Sequence, residues 1–482
     1  MMSTSVKSNP SGELTGTHAG KVLLNFIALG SAEAIARIVA FAALLYMARH
    51  VGAAGYGMIA FLAGVTLYLA KVADFGIETI GMDEIAQHRE NIPRIGSAIL
   101  GMRLLITMPL ILVALAIAQW VIQEPDRTVF SVFLLTLIPI AASTKWIHLG
   151  LEAPRPVGIL RIVGELVTLG LVVAFVHDAA HLWRMPLAML IGECIVAGTL
   201  YWLLRRQGLT LAPRWAPGTA LPVFKRAAPV VGQLLLGLLI YNSDVFFLRS
   251  MRSMEIVGFY AAAYTLVSFL TNICTLYGTT LLPTLTRLGR NTAEERTLYH
   301  TALAQVFAVT LPVAVGGMFV ANAIITLGFG ESYRPSVRIL EVLIWAVVPY
   351  AFRVVPKSAL IAHGHERLVL RATAGAVVVN VALNFILISF YGAIGAAVAT
   401  IATELLAGIL MFNYCVRRGL SMAPQRRFWR PVVAALIMSG TLWLLRDAHL
   451  ALQVSVAAGT YCLVLFSVGG IKVRDGLPSL AV

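Results

Sequence analysis

Residues Arg206–Pro213 read RQGLTLAP, and 211 residues later Arg417–Pro424 read RRGLSMAP. Five of the eight positions are identical, and Thr/Ser and Leu/Met exchanges cover two more. Each copy follows a long apolar run and carries the glycine and proline that end a helix. Either a functional loop has been written twice, or a whole bundle has.

The surrounding composition identifies the runs. Of 482 residues, 59% are hydrophobic and only 12% charged, with a mean hydropathy of +0.84. Soluble domains carry roughly 25% charged residues. Stretches of about 20 apolar residues, each able to cross about 30 Å of hydrocarbon as a helix, recur from Val22 to Ile471. They predict an all-α polytopic membrane protein with about fourteen spans; the alternating ten-residue strands of a barrel are absent. Of the 37 Lys and Arg, 22 fall in alternate connections beginning with the N-terminal tail and 8 in the opposite ones. That bias follows the positive-inside rule and predicts both termini in the cytoplasm. It also accounts for the net charge of +14 without a nucleic-acid partner. KVLLNFIALGSAEA (21–34) imitates a cleavable signal, but the apolar run continues to Met47, so it reads as an uncleaved first span. Cys194, Cys274, Cys415 and Cys462 have neither disulfide nor zinc spacing.

The loop is not the only echo. VGAAGYG (51–57) and IVGFYAAAY (256–264) align Tyr56 with Tyr260, and Thr107–Pro109 matches Thr310–Pro312. Pro139 pairs with Pro349, and Glu193 with Glu404 at the same offset of 211 as the loops. Matches kept in order predict two parallel six-helix repeats plus two C-terminal helices. The expected layout is a cytoplasmic tail (1–20), a first six-helix bundle (21–213), a linker and second bundle (214–424), and two extra helices with a short cytoplasmic tail (425–482). Paired bundles of this kind commonly work as alternating-access transporters, an inference from fold alone. The prolines at 109, 139, 312 and 349 each remove a helix hydrogen bond and predict kinks.

RIVAFAALLYMARHVGAAGYG (37–57) followed by DFGIE (74–78) resembles the opening of Wzx-type polysaccharide flippases. NVALNFILISFYGAIGAAVAT (380–400), YNSDVFFL (241–248) and FGESYRPSVRIL (329–340) resemble the same family. It belongs to the superfamily that contains the MATE exporters and the lipid II flippases. The resemblance implies an inner-membrane transporter, not an enzyme, that moves a polyprenyl-diphosphate-linked oligosaccharide to the outer leaflet without a cofactor. The partners it implies are the lipid-linked oligosaccharide, membrane lipids and other polysaccharide-assembly membrane proteins. Two further classes fit the residues: a MATE-like antiporter of cations or drugs, and a membrane glycosyltransferase or polymerase. The second would need large outer loops or acidic motifs such as DxD, which the chain lacks.

A charge at the centre of a span costs about 2.5–3.5 kcal/mol on insertion scales, so intramembrane charges mark structure or function. A diphosphate needs cations, Arg for its planar fork and Lys as a point charge. The candidates are Arg37, Lys71, Arg103, Lys145, Arg353 and Lys357, with Arg37 first because relatives often place a cavity arginine there. Buried carboxylates are the usual proton or sodium sites. Asp74 and Asp244 are therefore the coupling-ion candidates, with Asn242 as an added oxygen ligand. A purely structural reading competes: Glu33/Arg37 and Arg161/Glu165 at i,i+4, and Lys71/Asp74 at i,i+3, can neutralise each other on one helix face. Glu193 and Glu404 read as inter-helix contacts.

Overall fold

The computed structural model describes the backbone of residues 11–289, 292–419, 428–474 and 477–480. Side chains are described from residue 30, apart from 229–230, 233–234, 236–242 and 471–480. Ten helical stretches among the described residues are long and apolar enough to cross a membrane. Beside the helices stands one antiparallel pair of short strands, β1 (Ile471–Arg474) and β2 (Leu477–Leu480). The chain is an α-helical multi-pass membrane protein.

In chain order the helices are α1 (Ser11–Asp74), α2 (Ile77–Gln87), α3 (Ile92–Val121), α4 (Asp126–Leu135), α5 (Leu137–Ala142), α6 (Lys145–Gly150), α7 (Pro154–Phe175) and α8 (Arg184–Arg206). They continue with α9 (Pro217–Met251), α10 (Met254–Leu288), α11 (Ala293–Phe329), α12 (Pro335–Leu343), α13 (Val347–Ala362), α14 (Glu366–Arg417), α15 (Trp429–Leu444) and α16 (Leu450–Ser467). Two compact units result: Met1–Val51 with Val65–Leu234, and Gly52–Gly64 with Leu235–Val482.

The opening loop now has a geometry. α8 ends on Gly208 at φ 81°, and the Leu209 N–H reaches back to the Leu204 carbonyl at 3.1 Å, the bond of a Schellman cap. α14 ends alike on Gly419 at φ 84°, its N–H on the Val416 carbonyl at 3.1 Å. Only glycine takes this left-handed backbone freely. Residues 420–424 of the second copy lie outside the described residues. In the first copy, Tyr201 donates to the Leu211 carbonyl, and the Ala212 N–H donates to Ser97 Oγ. The loop's polar groups are thus spent on its own scaffold.

Two of the prolines lie within continuous helices and two follow helix breaks. Pro109 and Pro312 interrupt the ladders of α3 and α11. Pro139 follows the break between α4 and α5, where Thr136 Oγ1 donates to the Phe133 carbonyl at 2.6 Å. Pro349 follows a 3₁₀ turn at Ile344–Ala346 that opens α13. Gly52 (φ 71°) and Gly392 (φ 58°) kink α1 and α14 within their long helices.

Lipid is as apolar as leucine, so close packing and hydrogen bonds hold such helices together more than apolar burial does. Unit one packs around Ile77, Ile99, Trp146, Leu204 and Leu211. Unit two packs around Leu285, Tyr299, Val355, Leu360 and Met411. A second cluster there joins α15 and α16 to α11 through Val320, Met438, Leu442 and Leu465. Within unit two, Gly57 and Gly258 meet so closely that a Cβ on either would overlap opposing backbone. The echoed segments VGAAGYG and IVGFYAAAY are thus locked backbone to backbone.

Candidate functional site

The predicted charges gather into four groups, two in each unit. In unit one, α1 breaks after Asp74, with Phe75 at φ 49° and Gly76 at φ 72°. The break frees Asp74 to accept from the Glu78 N–H at 3.3 Å and to face Arg103 of α3, also at 3.3 Å. Arg103 is 1% exposed and donates to the Ile140 and Ser143 carbonyls at 3.1 and 3.2 Å, closing the C-terminal end of α5. Glu78 lies 3.9 Å from Arg103 and 2.8 Å from Lys145 Nζ. Lys71 is near enough to act electrostatically on Asp74 and Glu78. Lys71, Asp74, Arg103 and Lys145 therefore meet in one cluster, joined by Glu78, which sequence reasoning did not single out. Asp74 takes Arg103 as its ion partner where the i,i+3 spacing suggested Lys71. The helix break turns its carboxylate toward α3.

The second group holds Arg37 against Glu33 at 3.0 Å. Arg161 bridges Glu165 at 2.8 Å and Glu193 at 3.1 Å. Glu33 is close enough to act on both Arg161 and Glu165. Three acids and two bases share this surface, so Arg37 stands among carboxylates and has no basic patch around it.

In unit two, Arg353 of α13 forms a two-pronged pair with Glu404 of α14, Nε to Oε2 at 2.7 Å and the second prong at 3.3 Å. Its guanidinium lies 4.9 Å from the Tyr350 ring centre. Both charged side chains are nearly dry, at 7% and 4% exposed. One turn on, half-buried Lys357 faces the same pair electrostatically, and no described carboxylate lies within 4 Å of it.

The fourth group is neutral apart from its centre. Asp244 of α9 is fully buried. It accepts from Tyr260 at 2.5 Å, Asn384 at 2.5 Å and Thr400 at 2.7 Å. Ser243 bonds Asn380, which in turn reaches Thr403. No described Lys, Arg or His lies within 4 Å of Asp244, and Oδ1 of Asn384 is buried without a described partner. Asn242 occupies the same turn of α9, but its side chain is outside the described set. Sequence reasoning missed this shell of Tyr260, Asn380, Asn384 and Thr400; the i,i+4 spacing of the two asparagines was the available signal. Among the described residues, no group of three or more His, Cys, Asp or Glu could hold a metal.

Comparison with known proteins covers most of the chain. The family model for polysaccharide biosynthesis proteins matches residues 22–289, and that for the lipid II flippase MurJ matches residues 163–464. A protein of Shigella flexneri named "Putative O-antigen transporter" is 22% identical over 78% of this chain and 94% of its own length. One of Haloferax volcanii named "Probable low-salt glycan biosynthesis flippase Agl15" is 22% identical over 84% and 85%. A solved structure of the lipid II flippase MurJ in an inward closed conformation superposes with a TM-score of 0.76 at 14% identity, covering 91% of this chain and 98% of that one. The fold is shared, and with family models spanning more than half of its length the chain belongs to the polysaccharide biosynthesis proteins, as a Wzx-type flippase that also matches the family model of the lipid II flippase MurJ.

Proposed function

We propose that this protein flips a polyprenyl-diphosphate-linked oligosaccharide from the cytoplasmic to the outer leaflet by alternating access. The observation that carries the reading is the pair of family models, which together run from residue 22 to residue 464, with relatives named for O-antigen transport and glycan flipping. It is a transporter and not an enzyme.

We read the chain as fourteen spans, six plus six plus two, in the inner membrane with cytoplasmic termini. Support comes from the kinks at Gly52 and Gly392, which divide two of the ten candidate stretches, and from α9 and α15 as further spans. The bundles are 21–213 and 214–424, and the extra helices follow.

For the diphosphate, the cations whose charge is not already matched are the better ligands. Lys71 and Lys357 have no described carboxylate within 4 Å, and Lys145 shares the half-exposed Glu78. These three are the proposed contacts. Arg37 is a lesser one, while Arg103 and Arg353 hold the scaffold that presents them. Each lysine offers a point charge to phosphate oxygens without first breaking a buried pair. Asp244 is the coupling-ion site in preference to Asp74, because neutral donors surround it and no cation offsets its charge.

Purified protein in liposomes tests the reading. A fluorescent polyprenyl-diphosphate sugar should become accessible on the far leaflet only in protein-containing vesicles. Failure to move it, alongside export of a cationic dye, would replace the flippase reading by that of a cation antiporter.

A further inference from the structure

Pro312 lies in the middle of α11, with no N–H to donate. In an unbroken helix that N–H would meet the carbonyl four residues back, on Ala308. Ala308 is 2% exposed, so its oxygen has little access to water. The phenol of Tyr461, from α16, donates to that oxygen at 2.6 Å. A side chain of one of the two extra helices thus supplies the hydrogen bond that the proline removes.

The position within the packing gives this bond a further consequence. Before the proline, α11 packs on α13 and its neighbours through Tyr299, Ala302, Leu303 and Val306. Leu311, the residue before the proline, packs on α15 and α16, as do Val315, Val320 and Ile324 after it. Pro312 therefore sits close to where α11 passes from one set of partners to another, and Tyr461 reaches from the partner of the later stretch to the earlier one. An unfilled carbonyl beside a proline lets a helix choose among α, 3₁₀ and π hydrogen-bonding. A phenol fixed by a packed helix selects one of them.

We propose that Tyr461 is a positioning residue of the transport cycle. The α15–α16 pair sets the geometry of α11 at Pro312, and through α11 the placement of α13, which carries Arg353 and Lys357. The two added helices then regulate the course of a helix as well as adding apolar surface. The proposal rests on the transporter reading, but half of its test does not.

The test is a double-mutant cycle of Tyr461→Phe and Pro312→Ala. Tyr461→Phe keeps the ring and its packing and removes only the hydroxyl. In the Pro312→Ala background, residue 312 has an N–H of its own for Ala308, so the phenol becomes redundant. Spin labels on the exposed positions Thr297 and Leu327, in a cysteine-free background, would report the distance across Pro312. Y461F alone should broaden that distance distribution and slow transport of the lipid-linked sugar about fivefold, the factor that one neutral hydrogen bond contributes, with KM unchanged within about twofold. With Pro312→Ala present, Y461F should change neither reading. An unaltered distribution in Y461F, equal slowing in both backgrounds, or loss of folding in both would overturn the proposal. Wild-type protein that fails to flip the sugar while the distance result holds would sink the transporter reading and leave the role of Tyr461 standing.

Discussion

Glu193 and Glu404, 211 residues apart, both find an arginine on a neighbouring helix. Their surroundings differ. Glu193 is 28% exposed and shares Arg161, itself 44% exposed, with Glu165. Glu404 is 4% exposed and holds Arg353 through two prongs beside Tyr350. The charges around Glu193 therefore lie on an accessible surface with an excess of acid. Those around Glu404 are dry and balanced, with Lys357 beside them. In unit two the charge pair is matched within the protein, and the proposed diphosphate contact is the charge beside it, Lys357.

The largest expected effect breaks that contrast directly. Glu404→Gln strands the Arg353 guanidinium in a dry site, and removing one partner of a buried pair typically costs about 3–5 kcal/mol. Glu193→Gln leaves Arg161 with Glu165 and exposed, where a pair contributes less than about 1 kcal/mol. Thermal unfolding of the two variants in the same detergent should differ clearly. Equal shifts would mean that the burial of the Arg353 pair does not determine its energetics.

Next in size is the contrast between Asp74 and Asp244. Asp74 has its charge answered by Arg103, whereas the shell of Asp244 is wholly neutral. Asp244→Asn should reduce ion- or proton-driven transport by about tenfold or more, as expected when an essential intramembrane carboxylate is neutralised. It should leave the thermal unfolding midpoint close to wild type, because the amide can keep bonds to the surrounding hydroxyls. Asp74→Asn should do the reverse, lowering stability by about 1–3 kcal/mol while transport retains its ion dependence. If Asp74→Asn abolished the dependence and Asp244→Asn did not, the two assignments would have to be exchanged.

The α-helical, multi-pass class was legible in the sequence because its signal is additive: about twenty apolar residues define a span wherever they point. The duplicated glycines at 208 and 419 were legible for the same reason, as a left-handed helix end requires that residue type at that place. Pairing was not legible, because it depends on angles that spacing does not fix. Glu33/Arg37 and Arg161/Glu165 met within their helices as i,i+4 pairs do. Asp74 turned to Arg103 because α1 ends at that residue. The carbonyls that occupy Arg103 are those of Ile140 and Ser143 at the C-terminal end of α5, inside a stretch that hydropathy reads as a single span. The shell of Asp244 is drawn from α9, α10 and α14, and its members are ordinary polar residues until the fold brings them together.

The smallest effect concerns the lysines, and it tests whether charge left unmatched is what recognises the diphosphate. Lys357 and Lys71 have no described carboxylate within 4 Å, so replacing either with Gln removes charge without orphaning a partner. Stability should remain within about 0.5 kcal/mol of wild type. The loss should appear in KM for the lipid-linked sugar, about threefold to tenfold for each, since one contact to phosphate contributes about 0.7–1.4 kcal/mol net. Lys357→Arg should restore less than a conservative exchange suggests, because the guanidinium is larger and would crowd Arg353. A KM unchanged in both Gln variants, with transport still robust, would show that the diphosphate is held by the paired arginines. The contrast between matched and unmatched charge would then lose its functional meaning.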